Sequence, residues 1–369
     1  MIVADLLHPF PAPYGREWPQ KMGFINGTGN LVIPQEFDFS HHSKFGPGGY
    51  ALVRKGRQRL IIDTNGQTAF ELPSDTFNVW NIAPDEAGIF PVEHRIDHAS
   101  PWAYVQDGRD RVYRGRSKYY AMDLTGNIRF EGYITKALHG HYFFKDSVSL
   151  SAPQGIMNHE GEVIVPAELH YINSSPTEPY LSVMRDGNFG VIDFAGNEIL
   201  SISKKVTRFS DFSRVSNGLV QYYDDATKMC PSISLDGEEV GHLPPNQWMY
   251  YPACPTLSDG LALLHWERHD GDAVYVDAYG GYMLGDDRKP IIFSPEKRMG
   301  FFYEGLATIR QDDKAGFIDK TGAIVIPRQF YGASDFSGGL ARVTQTYDDH
   351  SSQRYSFINQ AGEVVAQNF

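Results

Sequence analysis

The sequence predicts an all-β fold: an array of about nine three-stranded β-hairpin repeats, stacked as an open, curved, solenoid-like array. Three observations carry this reading. The phrase GFINGTGNLVIP at 23–34 returns almost unchanged as GFIDKTGAIVIP at 316–327. Apolar runs are short, β-branched and aromatic, and they are punctuated by 36 Gly and 22 Pro. No apolar pattern of helical period lasts longer than two turns.

Further copies lie between the two clear ones: GIMNHEGEVIVP (155–166), GVIDFAGNEIL (190–200), LIIDTNGQ (60–67), YAMDLTGN (120–127), PSISLDGEE (231–239), VYVDAYGG (274–281) and YSFINQAGE (355–363). Their marker residues are Asn26, Asp63, Asp123, Asn158, Asp193, Ser234, Asp277, Asp319 and Asn359. The intervals are 37, 60, 35, 35, 41, 43, 42 and 40, which makes nine units of about forty residues. Within a unit, Phe317-Ile318 is a strand and Asp319-Lys320-Thr321-Gly322 a turn. There the Asp side chain bonds backbone two residues on, and Gly supplies positive φ. Ala323–Ile326 returns as a strand, and Pro327 ends it. Recurrence of Asp or Asn at eight of the nine marker positions assigns it to turn formation rather than to carboxylate catalysis.

A second phrase supplies the third strand: FYEGLATIR (302–310), FSGGLARV (336–343), LSDGLALL (257–264), VSNGLVQY (215–222) and, more loosely, GPGGYALV (46–53). A closed β-propeller is the alternative architecture, with blades of about four strands and 40–50 residues. Units of 35 residues are lean for such a blade, so the open array is preferred. Residues 1–20 read as an N-terminal cap and 21–369 as the array. The 60-residue interval holds an insertion around 73–118.

The paired phrases resemble the WG-repeat (KWG-repeat) family of bacterial arrays, over roughly residues 21–369. The Trp of the eponymous Trp-Gly pair is replaced by Met22, Gln154, Phe189 and Ala315, each before Gly. The resemblance implies a β-rich repeat scaffold, usually without assigned chemistry.

Composition narrows the function. Lys plus Arg number 33 against 45 Asp plus Glu, a net charge of −12, which disfavours nucleic acid as the partner of the whole chain. Two cysteines, Cys230 and Cys254, offer no disulfide framework and no C-x-x-C pair. Residues 1–20 lack a basic n-region and carry Pro9, Pro11 and Pro13, so they do not read as a secretory signal. No apolar stretch of membrane-spanning length occurs, and a cytoplasmic location is expected. There is no phosphate loop, nucleophile elbow, H-E-x-x-H or strand-linked G-x-G-x-x-G. No cofactor, metal or catalytic residue is therefore expected, and the chain reads as a non-enzyme, a hydrolase being a remote alternative.

Three clusters are candidate sites. His265, Glu267 and His269 share one strand face by period two, but lack a further ligand from elsewhere. Arg109, Arg111, Arg114, Arg116 and Lys118 interleave with tyrosines and form a secondary contact patch. The sharpest signal lies in the connection between the Gly-Leu-Ala strand and the signature strand. It is basic early, as Arg54-Lys55-Gly56-Arg57. Late in the chain it is acidic, with Asp224, Asp225, Asp270, Asp272, Asp312, Asp313, Asp348 and Asp349. Stacked repeats put equivalent loops in a row, so this acidic row is the expected contact surface for a basic protein partner. The expected function is a non-enzymatic protein-binding scaffold, of inhibitor or immunity type. A carbohydrate or surface-ligand binder using Trp80, Trp102, Trp248 and Trp266 is the alternative.

Overall fold

In a computed structural model the described residues are 8–11, 21–38, 43–46, 48–73, 77–78, 84–95, 104–107, 110–113, 117–147, 151–175, 178–205, 213–248, 251–265, 272–285, 288–294, 296–347 and 353–367. They are all-β, with no helix among them, and are arranged in antiparallel sheets, none closed into a barrel. The chain divides into two compact units. The first comprises residues 1–172 and 194–196, the second 173–193 and 197–369.

One repeat shows how the sequence makes the sheet. Arg298–Tyr303, Leu306–Gln311, Lys314–Ile318 and Ile324–Phe330 form a four-stranded antiparallel meander. We call these the lead, Gly-Leu-Ala, signature and return strands. The last three are the strands read from the sequence. The lead strand is an addition, and elsewhere it is as short as Phe77–Asn78, Leu257–Ser258 or Gly332–Ala333. Residues His8–Pro11, within the expected cap, pair with 22–25 as a strand of the first sheet. The extra chain of the long interval is the connection between Ile89–Arg95 and Ser117–Asp123, which carries a hairpin, Tyr104–Asp107 with Asp110–Tyr113.

All nine signature turns are built alike. In each, the marker residue's N–H donates to the carbonyl four residues on, at 2.8–3.0 Å. The glycine three residues after the marker has φ between +79° and +87°, where a side chain would be strained. Asp319 Oδ1 accepts the backbone N–H groups of Thr321 (2.8 Å) and Ala323 (3.2 Å) and the Thr321 hydroxyl (2.6 Å). The Thr321 hydroxyl and these amides outweigh burial and hold its carboxyl below the ordinary value.

The prolines correct the sequence reading. Pro327 does not end the return strand, which runs on to Phe330; likewise Leu31–Asp38 passes through Pro34 and Val163–Ser174 through Pro166. Each proline opens a bulge in which the register skips: Phe317 pairs with Ile326 but Ala315 with Phe330. The bulged backbone crosses directly over the signature glycine. A Cβ at Gly316 would stand 2.5 Å from the Ile326 carbonyl oxygen and 2.7 Å from Arg328 N. Gly155 lies similarly under Val165, while Gly190 pairs regularly with Ser201 and its Cβ would stand 2.9 Å from the Leu200 carbonyl oxygen. That close approach is why the repeat keeps a glycine there.

The core lies between successive sheets, and the signature strand serves two cores at once. Leu60 and Ile62 join Met22, Phe24, Ile33, Phe37 and Val53 on one side, while Ile61 joins Phe90, Val92, Tyr120 and Met122 on the other. Both faces are covered, so this strand reads as an unbroken apolar run. The position of the family's Trp is core: Met22, Phe189 and Ala315 are buried, and Gln154 is half-buried, accepting the Thr135 hydroxyl at 2.9 Å. The preceding Lys recurs too. Lys21 bonds the buried Asp38 at 2.7 Å, and Lys314 sits 3.2 Å from the Tyr331 ring centroid.

Repeats lock together through the turn glycine. In the first unit Gly66 lies against Ile33, Gly126 against Phe70, Gly161 against Phe130 and Gly196 against Val165. In the second, Gly237 lies against Leu200, Gly280 against the His242 carbonyl, Gly322 against Met283 and Ile291, and Gly362 against Ile326.

Cys230 and Cys254 are joined by a disulfide, contrary to the expectation of none. Their 24-residue separation concealed it. After the return strand Glu239–Leu243 the chain folds back through a hairpin, Asn246–Trp248 with Tyr251–Ala253, which brings the two Cα atoms to 5.7 Å.

Two outcomes are expected. Gly316→Ala costs about 3 kcal/mol because its Cβ meets backbone. Gly305→Ala, at φ +85° with nothing within 4 Å, costs about 1 kcal/mol from φ strain alone. Equal losses in urea titrations would refute the overpass. Burial pushes the Asp38 carboxyl up, but Lys21, the Gly56 N–H and Arg54 outweigh it and hold it below its ordinary value. A depressed folded-state value gives stability that is complete above the unfolded value, about 3.9, and is lost as pH falls through the folded one. Asp38→Asn therefore flattens the acid limb of a stability–pH curve and leaves the limb above pH of about 6 level.

Candidate functional site

Each meander places its connections at two edges. The Gly-Leu-Ala-to-signature hairpin stands at one edge, and the lead-to-Gly-Leu-Ala turn and the signature turn stand at the other. The first is the edge on which the sequence placed the acidic row.

At that edge Gln311 pairs with Lys314, so Asp312 and Asp313 are the two central residues of a tight hairpin. Their φ values, 51° and 57°, give the turn the backbone twist that suits a two-residue hairpin. Asp tolerates this conformation better than most residues, and both side chains are exposed. Arg310 approaches Asp313 at 3.4 Å. In the preceding repeats, Asp225 and Asp272 are exposed, and Asp225 meets Lys228 at 2.9 Å. Asp224 is half-buried and turned inward: it accepts the Ala226 N–H (3.2 Å) and the Thr227 hydroxyl (3.1 Å). It shapes the loop. Asp270, Asp348 and Asp349 lie outside the described residues.

In the early, basic part of the row, Arg54 and Lys55 are paired. Arg54 and Lys21 both bond Asp38, and Lys55 meets Glu36 at 2.6 Å. Of the secondary patch, Arg109, Arg114 and Arg116 lie outside the described residues. Arg111 falls in the Asp110–Tyr113 strand, and Lys118 is exposed on Ser117–Asp123 opposite His94. His265 ends the Leu261–His265 strand opposite Ala273, while Glu267 and His269 lie outside the described residues. Among the described residues no group of three His, Cys, Asp or Glu is placed to hold a metal, and no helix is long and apolar enough to cross a membrane. Trp18, Trp80, Trp102 and Trp266 lie outside the described residues; Trp248 ends a strand of the 246–253 hairpin.

The opposite edge carries an arrangement that sequence reasoning missed. In the second unit, carboxylates near one lead turn accept backbone N–H groups of the next. Glu178 Oε1 takes the Asn217 N–H at 2.5 Å and Asp259 Oδ2 that of Gly305 at 2.7 Å. Glu304 takes those of Gly338 and Gly339, at 2.7 and 2.9 Å. The residue after the signature marker completes the tie. Lys320 Nζ donates to the Asp259 carbonyl at 2.5 Å and Gln360 Nε2 to the Glu304 carbonyl at 3.2 Å. The available signal was an acidic residue before Gly-Leu-Ala, as in Asp259-Gly260-Leu261 and Glu304-Gly305-Leu306. A shallow depression lined by Glu304, Gly339, Asn359, Gln360 and Ala361 lies here, with Glu304, Asn359 and Gln360 bonded within this network. Chemically, this edge is a set of fastenings.

No curated protein matches the chain. Among solved structures, the crystal structure of a eukaryotic initiation factor shares the fold, with a TM-score of 0.58 at 10% identity, covering 99% of this chain and 96% of that one. Kluyveromyces lactis Hsv2p (TM-score 0.34, 9% identity, 60% of this chain and 71% of that one) is a slighter likeness. So is a functionally unknown protein from Desulfotomaculum acetoxidans (TM-score 0.32, 10% identity, 68% and 91%). The model of the WG containing repeat matches residues 22–57 and 316–346, the segments that hold the two clearest signature hairpins, so the likeness to WG-repeat proteins rests on these two segments.

Proposed function

We propose that this protein is a non-enzymatic scaffold that binds a basic protein partner along its acidic hairpin edge, as an inhibitor or immunity-type protein would. The observation that carries the reading is the exposed Asp312–Asp313 tip, at the same edge as exposed Asp225 and Asp272 within one compact unit. A hairpin of this twist accepts Gly or Asn at either position, so two adjacent carboxylates are not demanded by the turn. Lys228 and Arg310 each offset a single charge. The remaining carboxylates, with a chain charge of −12, favour encounter with a cationic surface and accelerate association. A non-catalytic role also fits the marker carboxylates: Asp123 and Asp319, held below their ordinary values, are weak bases engaged with their own turns.

The test is a fourfold variant, Asp225→Asn, Asp272→Asn, Asp312→Asn and Asp313→Asn, compared with the parent against a partner co-purified from the native host at low salt. Stopped-flow association is expected to slow about tenfold, with a flatter dependence on ionic strength and unchanged thermal stability. An unchanged on-rate and salt slope would reduce the row to a solvated rim.

A further inference from the structure

Among the described residues the hairpin at 246–253 has no counterpart in the other repeats: it lies between the return strand Glu239–Leu243 and the lead strand Leu257–Ser258. Both legs are pinned. On one side the buried Asn246 donates its Nδ2 hydrogen to the Leu263 carbonyl at 3.0 Å. On the other, Cys254 is bonded to Cys230. The chain on either side is anchored by fully buried Leu243 and by Leu257, both in one core with Ala262, Leu264 and Val274. The two sulfurs differ in setting. Cys230 is wholly buried on a signature strand, at the phase the family gives to Trp, whereas Cys254 is half-buried on the connection.

We propose that the Cys230–Cys254 disulfide is a thiol-responsive lock on this hairpin: oxidised, it holds the hairpin fixed; reduced, it frees the hairpin while the repeats stay folded. The core does not need the bond, because Cys230 remains packed as a small apolar side chain and Leu243 and Leu257 keep their places. The exchange is a two-electron reduction by a dithiol. A dithiol thiolate attacks the more accessible Cys254 Sγ, and Cys230 leaves as thiolate and takes up a proton. The second thiol then attacks the mixed disulfide, releasing Cys254 as a thiol and leaving the dithiol as a disulfide. This lock is independent of the acidic edge.

The experiment is hydrogen–deuterium exchange of the full chain, read by mass spectrometry, before and after treatment with dithiothreitol without denaturant; two titrated thiols per chain establish complete reduction. Peptides spanning 244–256 are expected to lose protection about tenfold on reduction, while those spanning 298–330 stay unchanged. Cys254→Ser should reproduce the reduced pattern without reductant; if that variant fails to fold, the reduced parent decides. Three results would overturn the lock: unchanged protection at 244–256 in fully reduced protein, simultaneous loss across 213–367, or resistance of the disulfide to reduction in the folded state.

Discussion

Everything in this fold leans on one contact, the turn glycine of a repeat seated on the return strand of the repeat before it. A repeat alone cannot bury its signature strand, whose residues alternate between two cores, so it needs neighbours on both faces. The glycine sets how close those neighbours come. At φ near +80° it closes the hairpin, and without a Cβ it lets Ile33, Phe130, Val165 or Ile326 reach the turn. The marker Asp, Asn or Ser then satisfies the turn's amides, so no polar backbone is stranded where the sheets meet.

The signature is thus a set of solutions to crowding. The second glycine, at Gly23, Gly155 and Gly316, exists because a bulged strand crosses above it. The proline permits that bulge. The position before the glycine, Trp in the family that the chain resembles, holds the buried Met22, Phe189 and Ala315 here. Replacement of that Trp therefore leaves the scaffold intact.

Much of this could be read in the residues. The period, the nine turns and their hydrogen-bonding role follow from local rules, since an Asp-x-x-Gly turn closes within five residues. What escaped was non-local or compositionally silent. The lead strands are two to six residues long and share no sequence. The proline was misread because ending a strand and bulging it look alike until the partner strand is known. The disulfide depended on a fold-back between Cys230 and Cys254, and the Glu304–Gly338 tie on two turns 34 residues apart. At the acidic edge, charge and spacing were legible at Asp312 and Asp313, but the inward turn of Asp224 was not.

Among the described strands the pairings join neighbours along the chain, save that Ile89–Arg95 pairs with Ser117–Asp123 across the inserted 104–113 hairpin. Contact order is accordingly low for an all-β protein, and loop closure asks little entropy at each step. Strand order along the chain is also the order of synthesis. A nascent polypeptide can finish one meander before the next emerges and use it as the template on which the following glycine lands, so assembly proceeds by accretion from a completed end.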